Sequence, residues 1–293
     1  MSNLKPAIHG FTSIARRFCA RLLPLVLAAL SAQATEPSAF DAEYAATLIW
    51  EARQRGDYFP DLYRLNPDLS EARLYEVQDA FVRRQLAAGD QIAGFKGGFV
   101  PSAPVGGVIG TRGLLKNYAS ISHGEFRLLI IEAEIAFRFC QPVTTPLQDV
   151  AALKELVCAV MPAMEIADGA IRDFSDVRKD FTHLRNALLA VNVAARQIML
   201  GEPSDATAVN LKELPVSMRS HDKPLGDRNL ENTPDLWANV LWVVNEYVLK
   251  RGYIIEPGQI IIPGNLTGIH AVTNGHYVGD FGALGRLELT VTP

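Results

Sequence analysis

The sequence predicts an α+β fold, with a helical N-terminal region leading into a β-rich domain. Three observations carry this expectation. Two segments with helical spacing of apolar residues come first, over 41–55 and 71–89. From residue 91 the chain changes to short apolar runs punctuated by Gly and Pro. Later helical segments interrupt these runs without the regular alternation of a doubly wound sheet.

In the second helix Leu74, Val77, Phe81 and Leu86 recur near helical spacing, with Arg73, Glu76, Arg83 and Arg84 on the other positions. Ala88-Gly89-Asp90 ends it. Tyr58-Phe59-Pro60 and Asn66-Pro67 mark the loop between the two helices. Ile92 to Phe99 reads as a short strand running into a Gly-rich turn, with Gly97, Gly98, Gly106 and Gly107 permitting tight turns and positive φ. Residues 101–125 read as loop, Leu128 to Phe139 as a strand, and 147–160 as a helix leading to Pro162. Met164 to Ala167 is a second buried strand, and Phe181 to Met199 mixes strand and helix signals. Residues 201–232 are polar and loop-rich around Leu214 to Met218. Leu236 to Arg251 is a helix closed by Gly252, Pro257-Gly258 turns the chain into Ile260-Ile261-Ile262, and 277–292 finish as strands.

The first residues read as an export leader. Lys5, Arg16, Arg17 and Arg21 precede an apolar run, Leu22 to Ala32, too short to span a bilayer. Ala32-Gln33-Ala34 then supplies a small-x-small cleavage pattern near Ala34. A periplasmic or secreted protein is expected, with no membrane segment after cleavage. The division is a leader over 1–34, a helical region over 35–90 and a β-rich domain over 91–293. Taking the leader's four basic residues from 28 leaves 24 against 32 acids, a balance of −8. So acidic a chain is a poor nucleic-acid ligand, because phosphate affinity comes from basic side chains. Cys140 and Cys158 remain in the mature chain. An oxidising compartment would let them pair, but one ends a strand-like run and the other sits in a helix-like one, so two buried free thiols are expected.

The chemistry is concentrated in Leu129-Ile130-Ile131-Glu132-Ala133-Glu134-Ile135-Ala136-Phe137. Strand side chains alternate, so Glu132 and Glu134 share one face, with Ile131, Ala133 and Ile135 on the other. Two carboxylates in an apolar strand repel each other and lose hydration. Either the face is exposed to solvent or a cation compensates. Met161-Pro162-Ala163-Met164-Glu165-Ile166-Ala167-Asp168 sets a third carboxylate in another apolar run. Glu165 must pair, with Arg172 for example, or meet a metal; Asp168 reads as a turn residue before Gly169. Three inward carboxylates suit Mg²⁺, with Mn²⁺ as the alternative. No His pair stands at zinc spacing.

These residues resemble the metal motif of the 2-keto-4-pentenoate hydratase branch of the fumarylacetoacetate hydrolase superfamily: Ile-Glu-Ala-Glu-Ile-Ala, then a third Glu in Pro-Ala-Met-Glu-Ile. Tyr75 to Gly89, Gly94-Phe95-Lys96-Gly97-Gly98, Pro257 to Gly264 and Asp280 to Gly285 resemble further family segments in the same order. The resemblance covers roughly residues 70–292. It implies a mixed β-sheet roll, homo-oligomers, and a hydratase-like lyase acting on a small 2-oxo acid or its dienol carboxylate. It places Glu132, Glu134 and Glu165 on Mg²⁺, Lys96 as the catalytic residue, and Asn186, Arg185 and Gly264 near substrate. The metal would act as a Lewis acid on the developing enolate. Lys96 between Phe and Gly would be desolvated and its pKa lowered toward a working value.

The chain also departs from the pattern. Lys116 stands where an acid is expected, and Leu184-Arg185-Asn186-Ala187-Leu188 replaces Ala-Asp-Asn-Ala-Ser. These changes bear on water addition and leave the carboxylates intact. A 2-oxo acid decarboxylase and a catalytically degenerate periplasmic binder of small carboxylates therefore stand beside the hydratase. His183 is a further candidate base, with a structural role as its alternative.

Overall fold

Short polar residues start both N-terminal helices. Asp41 accepts the Tyr44 N–H (3.0 Å) at the head of α1, Ala42–Arg55, and Ser70 accepts the Arg73 N–H (3.3 Å) at the head of α3, Glu71–Ala87. A one-turn helix, α2 (Leu62–Leu65), lies between them. The computed structural model describes residues 40–221, 223–232 and 235–293; the expected leader lies outside them. Leu74, Val77 and Phe81 are buried, and the ring of Trp50 from α1 meets Phe81 edge-on at 6.0 Å. Residues Asp41–Pro293 form one contact unit.

The strands in chain order are β1 (Ile92–Val100), β2 (Ala103–Gly110), β3 (Leu114–Lys116), β4 (Ser120–Ser122), β5 (Leu129–Phe139), β6 (Val157–Asp168), β7 (Gln197–Leu200), β8 (Ser204–Asp205), β9 (Pro215–Ser220), β10 (Lys223–Asn229), β11 (Ile260–Ile262), β12 (His270–Ala271), β13 (Gly275–Asp280) and β14 (Arg286–Thr292). Among the described residues they form two mixed sheets. One runs β2-β1-β11-β5-β6-β7-β3, with β12 on β5 and β8 on β6; the other runs β10-β9-β13-β14-β4. The helices α4 (Val150–Lys154), α5 (Phe174–Val177), α6 (Phe181–Ala190) and α7 (Leu236–Trp242) are inserted between strands, and α7 continues as a π-helical stretch to Leu249. This is the α+β, mixed-sheet architecture expected.

Several local expectations fail for identifiable reasons. Residues 103–110 form a strand paired antiparallel to β1, not a loop. Gly97 and Gly98 lie within β1, opposite Gly106 and Val105, and none of the four glycines has positive φ. Their value is the missing side chain. A Cβ on Gly107 would stand 2.9 Å from the Asn192 carbonyl oxygen, and one on Gly98 equally close to Val105. Of the helix expected over 147–160 only α4 forms; residues 157–160 open the twelve-residue β6, which runs through Pro162. Pro162 pairs with Ile135 of β5, while its carbonyl accepts the Gly201 N–H (2.9 Å) on the other side. A residue's N–H and C=O point to the same side of a strand, so the missing donor falls between β7 and β8 and costs no bond to β5.

The cysteines are also corrected. β5 and β6 are antiparallel neighbours, and Cys140 and Cys158 lie just beyond and just inside their paired ends. Their Cα atoms are 5.7 Å apart and they form a disulfide. Both are exposed rather than buried. Reading 147–160 as a helix concealed this adjacency.

Candidate metal centre

Register assembles the site. In the β5–β6 ladder Glu132 stands directly opposite Glu165, and Glu134 lies two residues along β5 on the same face. One carboxylate oxygen from each of the three lies within 4.8 Å of the others. Glu134 and Glu165 are fully buried and Glu132 partly so. The opposite face of β5, Ile131, Ala133 and Ile135, is buried in the core, which fixes which way the glutamates point.

Lys96 reaches the cluster from β1, two strands away from β5 across β11. Its buried ammonium pairs with Glu165 Oε1 and donates to the Val193 carbonyl (3.0 Å). That carbonyl is aimed by an unusual turn. Asn192, Val193 and Ala194 have φ of 55°, 53° and 56°, three consecutive non-glycine residues in the left-handed region. The buried Asn192 side chain holds the turn in place, accepting the Val108 N–H (2.8 Å) and donating to the Val108 carbonyl (2.9 Å). Left-handed backbone costs on the order of 1 kcal/mol or more per residue, and persists where surrounding contacts over-determine it.

Gly264 follows β11 at φ 120°, a conformation favouring glycine, and its N–H donates to Glu134 Oε2 (2.8 Å). Of the expected substrate contacts, Gly264 is therefore at the cluster, as a support for Glu134. Arg185 and Asn186 are not. Arg185 pairs with Glu71 (2.8 Å), contacts Asn186 Oδ1 at 3.4 Å, and neither residue lines the cavity. Both lie on α6, whose cavity-facing residues are Phe181, Leu184 and Leu188. His183 bonds Asp61 (2.7 Å), which accounts for it structurally. Lys116 is exposed on β3. Arg172 lies over the Tyr58 ring rather than on Glu165. Asp168 ends β6, accepts the N–H groups of Arg127 and Leu128 (3.1 and 3.0 Å), and pairs with Arg196.

The charges are strongly coupled. Burial, reinforced by the Glu165 carboxylate, pushes Glu132 up to about 8 although Lys96 opposes it. Burial, then repulsion from Glu165 and Glu132, holds Glu134 well above the usual carboxylate range. Lys96 differs from the sequence expectation. Burial alone would lower it, but attraction to Glu165, Glu132 and Glu134 outweighs burial and its pKa is raised. Fully ionised, three carboxylates and one ammonium carry −2.

A divalent cation fits this site. Its charge balances the cluster. Glu165 Oε2 is buried with no hydrogen-bond partner, an acceptor lacking a positive counterpart. The donor set is all oxygen, and among the described residues no Cys or His lines the cavity, which matches Mg²⁺ or Mn²⁺ better than zinc. The cavity above the cluster has a volume of about 240 Å³. Its other walls include Phe99, Phe174, Phe181, Leu184 and Leu188.

No protein-family model matches the chain, and no curated protein matches it by sequence. Solved structures do. It is similar to 4-oxalocrotonate decarboxylase from Pseudomonas putida G7 complexed with magnesium and adipate, at TM-score 0.77 and 19% identity over 85% of this chain and 97% of that one. It is also similar to fumarylpyruvate hydrolase from Pseudomonas aeruginosa in complex with Mn²⁺ and pyruvate, at TM-score 0.51 and 14% identity over 68% and 88%. For 2-hydroxyhepta-2,4-diene-1,7-dioate isomerase from Mycobacterium marinum the values are 0.51, 13%, 69% and 76%. At these identities the likeness establishes the fold, and the fold is that of the fumarylacetoacetate hydrolase type.

Proposed function

We propose that the chain is a divalent-metal-dependent lyase acting on a small 2-oxo acid or its dienol. The observation that carries this reading is the convergence of Glu132, Glu134 and Glu165 with the buried Lys96 at the floor of a small cavity. Glu132, Glu134 and Glu165 would hold Mg²⁺ or Mn²⁺, which supplies Lewis acidity toward the 2-oxo group. The chain's own residues supply the rest. Lys96 holds a proton at Nζ, fixed in place by the Val193 carbonyl. Once the carboxylates are neutralised, burial is left to act on Lys96 and lowers it toward the range for proton transfer. Gly264 N–H keeps Glu134 oriented, and the apolar wall excludes water. The magnesium–adipate and manganese–pyruvate complexes of the structural relatives support a small carboxylic acid as ligand.

Hydration and decarboxylation need the same cluster and differ in the bond that changes. Lys96 is the cavity-lining side chain, besides the three glutamates and Arg178, that carries a transferable proton or formal charge. No further acid or base lines the cavity among the described residues to activate water, which favours decarboxylation over hydration. The paired, exposed cysteines support export, since such disulfides persist in oxidising compartments.

The test is a Mg²⁺-dependent turnover screen of short 2-oxo acids and 2-hydroxydienoates, followed by ultraviolet absorbance and carbon dioxide release. Turnover abolished by Lys96→Met supports the reading. Ligand binding without any turnover across the screen would replace it with a carboxylate-binding protein.

A further inference from the structure

A second cavity, of about 270 Å³, shares no lining residue with the one above the glutamate cluster. Three arginines line it from distant parts of the chain. Arg53 comes from the last turn of α1, Arg112 from the turn after β2, and Arg196 from the position before β7. Its other polar side chains are two acids, Asp90 and Glu125, and three glutamines, Gln54, Gln85 and Gln197. Three arginines against two acids leave the lining with one positive charge.

The arginines are unequally matched. Arg196 pairs with Asp168 (3.2 Å) and lies over the Phe126 ring, 4.5 Å from its centre. The half-buried Arg53 lies 5.6 Å from the centre of the Phe81 ring, and its guanidinium makes no ion pair or hydrogen bond among the described residues. The Arg112 side chain makes none either; only its backbone N–H is bonded, to Asp90 Oδ1 (3.0 Å). The same oxygen accepts the Gln91 N–H (2.9 Å) and the Thr111 hydroxyl (3.0 Å), so it is taken up by its own turn. Glu125 is exposed and forms no ion pair among the described residues. Burial, reinforced by Arg196, pushes Arg53 down to about 10 although Asp168 and Asp90 oppose it. Gln197 Oε1 is buried without a partner, so this wall's polar atoms are not saturated from within the protein.

A guanidinium presents a planar fork of donors that matches a carboxylate or phosphate in parallel hydrogen bonds. Two forks without acceptors, facing one polar cavity, are complementary to an anion with several oxygens. The space lies below the roughly 300–1,000 Å³ of drug-sized sites, so the ligand is small. We propose that Arg53, Arg112 and Arg196 form a second binding site, which takes a small oxyanion, a phosphate or carboxylate group. The site is separate from the metal centre but adjoins it along the chain: Val193 and Ala194 line the metal-site cavity, and Ala195 and Arg196 line this one.

The test uses the metal-free full chain at pH 7 and constant ionic strength, where the anionic glutamate cluster repels the probes. Inorganic phosphate and acetate are titrated separately, read by melting temperature, with phosphate also read by ³¹P line width. Saturable stabilisation by either probe at millimolar concentration, with ³¹P broadening where the probe is phosphate, is the expected result; the tighter probe names the group. Arg53→Met weakens that probe about tenfold or more, and the exposed Arg112→Met about threefold to tenfold. Without anion, Arg53→Met lowers the melting temperature by no more than about 4 °C, since only the contact with Phe81 is lost; a purely structural Arg53 would cost more. If Arg53→Met fails to fold, Arg112→Met decides. No saturable effect of phosphate or acetate up to about 20 mM, more than tenfold above a millimolar constant, overturns the proposal. So does an effect that survives undiminished in Arg112→Met and Arg53→Met.

Discussion

Binding of Mg²⁺ to this protein is expected to release protons, and the amount follows from the crowding of the three glutamates. Metal ligation requires ionised carboxylates. Without metal, Glu132 is pushed up to about 8 by burial and by Glu165. At pH 7 a group with that pKa is about 0.9 protonated, so Glu132 alone gives up roughly one proton per ion bound. Glu134, held well above the usual carboxylate range, adds to this. Between pH 7 and 9 the Glu132 contribution alone tightens apparent Mg²⁺ affinity about tenfold, roughly 1.4 kcal/mol. Calorimetry at pH 7 in two buffers of different ionisation enthalpy counts the protons. The linked stability has a definite sign. Glu132 has a folded pKa above its unfolded value of 4.5, so its contribution is fully present below about pH 4.5 and lost as pH rises through about 8. The melting temperature of the metal-free protein therefore declines over that window, and saturating Mg²⁺ removes the decline. Release of less than about 0.3 proton, with affinity flat from pH 7 to 9, would refute the picture of a buried, mutually repelling trio.

Other perturbations separate the parts of the site. Lys96→Met leaves Glu165 buried without its ammonium, so the metal-free protein loses about 3–5 kcal/mol in denaturant unfolding, and Mg²⁺ restores part of it. In the same variant kcat falls by about 10²–10⁴, measured under saturating metal. Val193→Gly relieves a β-branched residue at φ 53°, worth about 1–3 kcal/mol, but removes a buried side chain worth about as much, so stability is expected to change by less than about 1 kcal/mol with the carbonyl contact to Lys96 retained. Asn192→Ala removes both bonds to Val108, lowering stability by about 2–3 kcal/mol and loosening Lys96, seen as a fall in kcat larger than any change in KM. Reduction of Cys140–Cys158, which closes a loop of 18 residues, lowers stability by about 3 kcal/mol and leaves Mg²⁺ affinity within twofold, since the bond lies at the far end of the ladder from Glu132.

Much of the site was legible because strand alternation is a strict rule. Glu132 and Glu134 had to share a face, and the apolar residues between them had to take the other. Glu165 stood out as an acid in an apolar run, and β5–β6 register then set it opposite Glu132. The helices α1 and α3 carry polar caps and periodic apolar faces that need no tertiary information. Where the reading failed, the missing information was long-range. β2 looks like a loop until β1 supplies its partner, because its glycines matter for close approach to Asn192 and Tyr247 rather than for turning. The extent of β6 was hidden by Pro162, which is tolerated only because the strand has a gap in its neighbours there. The asparagine that organises the site is Asn192, six residues beyond Asn186, and its one local signal is that asparagine tolerates left-handed backbone.

The central claim is that Glu132, Glu134 and Glu165 bind one divalent ion that a 2-oxo acid or its mimic then contacts. Electron paramagnetic resonance of Mn²⁺ with ¹⁷O-labelled oxalate reads that contact directly. One tightly bound Mn²⁺ per chain, with lines broadened by labelled oxalate and lost in Glu134→Gln, is the expected result. A spectrum of free aqueous Mn²⁺ at stoichiometric protein, or no broadening by the labelled ligand, would contradict it.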